Sequence, residues 1–121
     1  PYDPVADFRA VAMIGATPQL FCVPPRLPAA NLAEFVALIR ANPGRYAFAS
    51  AGVGSAIHVA SLLFLAEAKA EMLHVPYRGG GPAAQALLTG EVDITFIDAI
   101  TALPFIAERR IRPIAVSTRV R

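Results

Sequence analysis

The stretch 48–58 joins a short apolar run to a helix through a loop of small residues. No bulky side chain lies between Ala49 and Gly52, so a ligand can approach the main chain, and Gly52 and Gly54 can adopt dihedral angles closed to other residues. Ser55 is placed to cap the helix. Because the first N–H groups of a helix lack helical partners and carry partial positive charge, the stretch predicts an anion-binding junction. A plain tight connection is the alternative.

Composition limits the remaining possibilities. The chain has 121 residues, of which 55% are hydrophobic, so we expect one domain with its own core and no membrane span. Eleven basic and nine acidic residues give a net charge of +2. Five late arginines are scattered and Trp is absent, which disfavours a nucleic-acid surface. Cys22 is the one cysteine, and we expect it to be a buried core residue.

The apolar patterns predict alternating strands and helices, and hence an α/β fold with a largely parallel sheet of five to six strands flanked by helices. Asn31 and Glu34 form a capping box, and Pro104 is tolerable only in the first turn of its helix. The helix 55–68 is apolar nearly all round, which predicts burial against more than one neighbour. The predicted strands are 9–16, 19–23, 46–49, 72–75, 92–98 and 112–117. One predicted helix begins after Asn31, and three more cover 55–68, 82–90 and 101–109.

In such sheets, ligands bind beyond the carboxyl ends of the strands. Three loops leave those ends in this chain, and all are rich in small or polar residues. We therefore expect them to converge on one crevice. They are Ser50 to Ser55, Pro76 to Gly81, and Asp98 to Ile100, the last including Ala99.

Several ordered motifs resemble one family. Phe48-Ala-Ser-Ala-Gly-Val-Gly-Ser-x-x-His58, His74-Val-Pro-Tyr-Arg-Gly-Gly-Gly-Pro-Ala83 and Leu87-Leu-Thr-Gly-Glu-Val-Asp93 resemble the solute-binding proteins of tripartite tricarboxylate transporters, also called Bug receptors. The Pro-Gly turn at 43–44 and the run 111–116 extend the resemblance over almost the whole chain.

The resemblance implies a periplasmic, exported, two-lobed binding protein of the type II class that delivers a carboxylate-bearing solute to a two-component membrane permease. Residues 1–121 then form a single α/β lobe, the second of the two, with the N-terminal lobe missing and no signal peptide or initiator Met in this sequence. Strands 9–16 and 112–117 would lead towards the hinge. Residues 107–110 lack the Gly that the family has after its fourth helix, so the end of that helix is open to question.

By this resemblance, the N–H groups from Gly52 to Ala56 and the Ser55 hydroxyl bind one ligand carboxylate. We expect no catalysis, cofactor or metal. The predicted ligand-binding residues are Ser50, Ala51, Gly52, Val53, Gly54, Ser55, Ala56, His58, Tyr77, Gly79, Asp98 and Ala99.

Several roles stay open at this stage. His58 either bonds the loop from behind or contacts the ligand, whereas His74 is interpreted as structural. Tyr77 either lines the cleft, which we favour slightly, or packs beneath it. Gly79 to Gly81 serve turn geometry or offer N–H groups, and Asp98 binds a ligand donor or caps the next helix.

Other function classes fit less well. The third glycine of a dinucleotide fingerprint, a P-loop and a nucleophile elbow are all missing. Ser55, His58 and Asp98 could be imagined as a hydrolase triad, but a shared helix would constrain the Ser–His pair. An effector-sensing domain of a transcription regulator has the same two-lobed architecture and is the main alternative.

Overall fold

A computed structural model describes residues 2, 3 and 5–118. Strands and helices alternate along this part of the chain from residue 19 onwards, as the apolar patterns predict. The elements are β1 (Gln19–Val23), α1 (Leu32–Ala41), β2 (Ala47–Ser50), α2 (Ala56–Ala68), β3 (Leu73–Pro76), α3 (Gly80–Thr89), β4 (Thr95–Asp98), α4 (Ala99–Ala107) and β5 (Arg112–Val116).

The strands lie in the order β3-β2-β4-β1-β5. β2 pairs in parallel with β3, and a parallel bridge between Phe48 and Ile94 joins β2 to the start of β4. β1 is antiparallel to both β4 and β5. The prediction of a largely parallel sheet therefore holds for the direction of four strands and is wrong for the pairs around β1. Each of the other four strands follows a helix that returns the chain to the same edge, whereas no helix precedes β1 in the described residues.

The predicted strand 9–16 is not formed. Its residues are exposed and unpaired in the described part of the chain; Val11 is 97% exposed and Met13 is 88% exposed. A strand is stabilised by the hydrogen bonds of a neighbouring strand, and none lies beside this segment among the described residues. An apolar pattern alone was therefore not sufficient to form a strand in this segment.

The first helix begins with the predicted capping box. The N–H of Glu34 donates to Oδ1 of Asn31 at 2.9 Å, and the Glu34 carboxylate accepts from the N–H of Ala30 at 2.7 Å. The first bond satisfies a donor that the helix leaves unpaired, and the second ties the residue before the cap to the first turn.

Two helix starts differ from prediction. α3 begins at Gly80, so Pro82 is its third residue; the missing N–H of proline is harmless there because first-turn N–H groups have no helical acceptor. α4 begins at Ala99, so Pro104 is its sixth residue and lies beyond the first turn. At the end of α4, Arg109 takes the left-handed conformation, with φ of 56°, that a glycine would adopt easily.

Both faces of the sheet bury a core. On one face, Phe21 packs edge-on against Phe35, Phe64 and Phe96, with ring centroids 4.8–5.3 Å apart. The next residue, Cys22, points to the other face, where it is fully buried in a second cluster as predicted. Burial raises the pKa of the Cys22 thiol to about 12.

α2 is less buried than its composition predicts. Ser61, Leu65 and Ala68 are its buried residues, whereas Leu63 is 67% exposed. The prediction of burial against more than one neighbour is confirmed, because α2 packs on the sheet and its Phe64 ring also lies 6.2 Å from that of Phe35 on α1, but the opposite side of the helix stays exposed. None of the helices described is long and apolar enough to cross a membrane.

Candidate functional site

The loop after β2 forms the predicted strand–loop–helix junction. β2 ends at Ser50, which is fully buried, and Ser55 is the N-cap of α2. Oγ of Ser55 accepts a hydrogen bond from the N–H of His58 at 3.2 Å. Gly52 and Gly54 have φ angles of 125° and 81°, which other residues rarely adopt. The predicted cap and the predicted need for glycine are both confirmed.

Three N–H groups of this loop already have acceptors within the protein. The N–H of Gly52 donates to Oγ of Ser50 at 3.2 Å, and the N–H of Gly54 donates to Nδ1 of His58 at 3.1 Å. The N–H of Ser55 donates to the carbonyl oxygen of Gly52 at 3.2 Å. For these three groups, the prediction that they bind a ligand is wrong, because each donor is already used.

Three further N–H groups have no acceptor among the residues that the structure describes. They belong to Val53 and to the first two residues of α2, Ala56 and Ile57. The hydroxyl of Ser55 accepts one bond, and its own proton has no acceptor in the described chain. Val53 and Ala56 are exposed, so solvent and ligands can reach this end of the helix. We call these three N–H groups and the Ser55 hydroxyl the α2 donor cluster.

The loop between β3 and α3 lies directly beside this junction. The N–H of Tyr77 donates to the carbonyl oxygen of Ser50 at 2.9 Å, and the N–H of Gly79 donates to that of Ala51 at 3.2 Å. Gly79, with φ of 115°, precedes α3, whose first residue Gly80 lies near the side chain of Ile57. The N-termini of α2 and α3 are therefore neighbours at the carboxyl edge of the sheet, as the convergence of loops predicts.

Tyr77 packs beneath the crevice instead of lining it. Its ring contacts the second core cluster, and its hydroxyl is buried. Burial raises the pKa of Tyr77, and the nearby carboxylate of Glu91 raises it further. The slight preference for Tyr77 as a cleft-lining residue was wrong, because its aromatic ring gains more by packing against aliphatic side chains than by facing water.

Asp98 at the end of β4 caps α4. Its carboxylate accepts from the N–H of Thr101 at 2.9 Å and from the Thr101 hydroxyl at 2.8 Å. These two bonds lower the pKa of Asp98, the main-chain bond having the larger effect. Ala99 is the first residue of α4 and is half-buried. Of the two roles left open for Asp98, the structure shows the cap.

Two histidine side chains form hydrogen bonds with this loop or with Ser50 at its start. Nδ1 of His58 accepts a hydrogen bond from the N–H of Gly54. His58 therefore bonds the loop, which is one of the two roles expected for it. Nε2 of His74 lies 2.7 Å from Oγ of Ser50. This second contact was not among the sequence predictions. The available signal was strand alternation: Phe48 and Ser50 share a face of β2, and His74 pairs with Phe48 in the neighbouring strand.

The family follows from comparison with known sequences. The sequence profile of the tripartite tricarboxylate transporter family receptor matches residues 1–121. The chain belongs to this family. The predicted resemblance is thereby confirmed.

Three relatives show how much of such a receptor this chain represents. The UPF0065 protein of the tcbD-tcbE intergenic region of Pseudomonas sp. (strain P51) is 39% identical over 119 residues, 98% of this chain and 35% of the relative. The structure of R. palustris Rpa4515 with adipate matches with a TM-score of 0.89 at 32% identity, over 99% of this chain and 40% of that one. MatC from Rhodopseudomonas palustris with bound malate matches with a TM-score of 0.83 at 28% identity, over 87% and 36%. This tricarboxylate-transporter receptor chain thus corresponds to one α/β lobe.

The hydrolase geometry is not assembled in this receptor chain. Oγ of Ser55 contacts the main chain of His58, whose Nδ1 is occupied by Gly54, and Asp98 is bonded to Thr101. A nucleophile needs a base within hydrogen-bond reach, and these side chains do not provide that pair. Within the described residues, no group of three or more His, Cys, Asp or Glu side chains is placed to hold a metal ion.

Proposed function

We propose that this chain is one lobe of a periplasmic receptor that captures a small organic carboxylate for a tripartite tricarboxylate transporter and performs no chemistry on it. Membership of the receptor family supports the transport role. The structural neighbours with adipate and malate support the ligand class, since both are small dicarboxylates.

The α2 donor cluster is the observation on which the proposal depends. Val53, Ala56 and Ile57 offer N–H groups that have no acceptor among the described residues, beside the Ser55 hydroxyl and at the positive end of a 13-residue helix. Hydrogen bonds from such donors to a carboxylate are about twice as strong as those between neutral partners. No Asp, Glu, Lys or Arg occurs from residue 47 to residue 66, so within this segment the attraction would come from main-chain dipoles.

The rest of the binding cleft would come from a second lobe. The chain spans 35–40% of the length of the relatives named above, and its donor cluster lies at the carboxyl edge of the sheet. We place the missing N-terminal lobe opposite this edge, closing over the ligand. Export to the periplasm and delivery to a two-component membrane permease complete the proposed role.

The position of α3 suggests a dicarboxylate. The N–H groups of Gly80 and Gly81 at its N-terminus have no acceptors in the described chain, and Gly80 adjoins Ile57 of α2. A ligand with two carboxylates separated by a short aliphatic chain would satisfy both helix ends. Gly79 would then contribute to binding indirectly, because its backbone conformation sets the start of α3.

The test is calorimetric titration of the complete two-lobed protein with a panel of C4 to C6 dicarboxylic acids, with the corresponding dimethyl esters as controls. We expect at least one acid to bind and its diester not to bind. Equal binding of an acid and its ester would overturn the proposal, and so would failure of every organic acid to bind. The 121-residue chain alone should bind weakly, since tight binding of a small ligand requires burial of most of its surface.

A further inference from the structure

Two imidazole rings hold the loop that carries the α2 donor cluster. His58 lies on α2 and accepts the N–H of Gly54 at Nδ1, 3.1 Å away. His74 lies on β3, with Nε2 2.7 Å from Oγ of Ser50. That hydroxyl in turn bonds both the N–H and the carbonyl oxygen of Gly52, each at 3.2 Å. Both ends of the loop are thus tied to a titratable side chain.

The bond at Gly54 requires an unprotonated ring. A main-chain N–H can only donate, so Nδ1 of His58 must offer its lone pair. A protonated imidazole carries hydrogen on both nitrogens and cannot accept. Proton uptake at Nδ1 therefore replaces a hydrogen bond with two opposed N–H groups, and Gly54, which holds a φ of 81°, loses its side-chain contact.

The two rings are also stacked on each other. Their centroids are 4.3 Å apart with 17° between the planes, and the ring of Phe48 continues the stack 4.8 Å beyond His74. Two positive charges at this distance repel each other, so the rings take up protons as a coupled pair. Burial lowers the pKa of His74, and the charge of a protonated His58 lowers it further.

Few other charges face the pair. β2, the loop and the first turns of α2 contain no Asp, Glu, Lys or Arg. A groove of about 630 Å³ between α2 and β3 is lined by His74 together with Lys69 and Glu71, which carry opposite charges. Arg78 follows β3 and is exposed. The main contacts of the two rings are therefore with each other and with the loop.

We infer that His58 and His74 are positioning residues of the anion-binding loop, and that proton uptake by His58 releases Gly54 and loosens this loop. These hydrogen bonds join residues of the chain itself, so the loosening is independent of the proposed function. Only its effect on ligand affinity rests on that function.

The first experiment measures amide hydrogen exchange in the complete protein, with residues 51–56 compared with α1 in the same sample. Between about pH 7.5 and pH 5.5, across the range where imidazoles titrate, loop protection relative to α1 should fall about tenfold. His58→Asn is the matched variant, because its Oδ1 can replace Nδ1 as acceptor but cannot take up a proton. Its relative protection should not change with pH. An unchanged ratio in the natural protein, or the same fall in His58→Asn, would overturn the inference.

The second experiment measures affinity for adipate by calorimetry at the same two pH values. Dividing the dissociation constant of the natural protein by that of His58→Asn cancels the titration of adipate itself. We expect this ratio to rise at least threefold at the lower pH, and a constant or falling ratio would overturn the link between loop and ligand. If adipate and the other acids fail to bind at any pH, the proposed function fails while the exchange result still decides the positioning role. His74→Gln, which can keep a hydrogen bond to Ser50, should leave the pH response intact, because the response originates at His58.

Discussion

The hydroxyl oxygen of Ser55 accepts the main-chain N–H of His58 at 3.2 Å, so the residue that caps α2 is also part of its donor cluster. One oxygen therefore serves two purposes. It satisfies a donor of the helix, and its own proton remains available for a ligand. The two purposes can be separated experimentally because helix capping acts on stability and the hydroxyl proton acts on binding.

Ser55→Ala should reduce both the stability of the chain and its affinity for a carboxylate. Loss of the cap should lower the free energy of unfolding by about 1 kcal/mol, the usual effect at an N-cap. Loss of the hydroxyl donor should weaken carboxylate binding by roughly 1 kcal/mol or more, about fivefold in dissociation constant. Urea denaturation and calorimetry of the complete protein measure the two effects.

Asn31→Ala is the matched control. Asn31 caps α1 through the N–H of Glu34 at 2.9 Å, and it takes no part in the donor cluster. It should lower stability by a similar amount without changing affinity. Equal losses of affinity in both variants would mean that binding simply follows stability, and would contradict a direct role for the Ser55 hydroxyl.

The local features were the part of the fold that the sequence predicted well. The capping box at Asn31, the Ser55 cap and the alternation of strands and helices depend on neighbours within a few residues, and all are confirmed. Pairing between strands depends on distant residues. The segment 9–16 has a strand-like composition but no neighbouring strand among the described residues, and the direction of β1 could not be read from its own five residues.

The site also combines features that local sequence predicted with features that depend on distant residues. The position of the loop and its glycines could be predicted from local chemistry, but the use of each donor could not. The N–H of Gly54 is occupied because His58 lies one turn further along α2. The ring of Tyr77 packs against the second core cluster, to which α3 contributes. The bond between Ser50 and His74 joins residues 24 positions apart, and only the pairing of β2 with β3 brings them together.

Asp98 should make the stability of this lobe sensitive to acid. Its bonds to Thr101 lower the pKa of the Asp98 carboxyl in the folded state, so its contribution is present above the usual carboxyl pKa, near 4, and is lost as the pH falls through the lowered value. Asp98→Ala should reduce the free energy of unfolding by about 1 kcal/mol at pH 7, and this difference should shrink at about pH 3 and below. Urea denaturation across this pH range tests it. Asp98→Asn keeps an oxygen acceptor without the charge, so its deficit at pH 7 should be smaller than that of Asp98→Ala and should also shrink at low pH. A difference for Asp98→Ala that is constant with pH would contradict the prediction.

Arg109 offers a way to stabilise the chain. Its φ of 56° is costly for a residue with a Cβ and easy for glycine. Arg109→Gly should therefore raise the free energy of unfolding by up to about 1 kcal/mol. Glu108 immediately before it has a right-handed conformation, with φ of −76°, so Glu108→Gly should lower stability. Thermal denaturation of the two variants should shift in opposite directions, and a loss of stability in Arg109→Gly would show that the arginine side chain makes a contribution that outweighs the strain.

Ala56→Pro would remove one proposed ligand donor while leaving the helix intact. Ala56 is the first residue of α2, where proline is favoured because its missing N–H has no helical acceptor. Ser55 has φ of −64° and ψ of 158°, the extended conformation that a residue before proline prefers. Stability should therefore stay within about 0.5 kcal/mol, whereas carboxylate affinity should fall by roughly 1 kcal/mol or more.

Ala56→Ser is the control for this substitution, because it changes the side chain at the same position but keeps the N–H. Calorimetry should show a loss of affinity in the proline variant and not in the serine variant. Since no hydrogen bond within the protein uses the N–H of Ala56 among the described residues, an affinity change in Ala56→Pro would report on the ligand directly. If the proline variant is as stable as the natural chain and binds the acid equally well, the N–H of Ala56 is not a ligand donor, and binding at α2 would have to depend on Val53, Ile57 and the Ser55 hydroxyl alone.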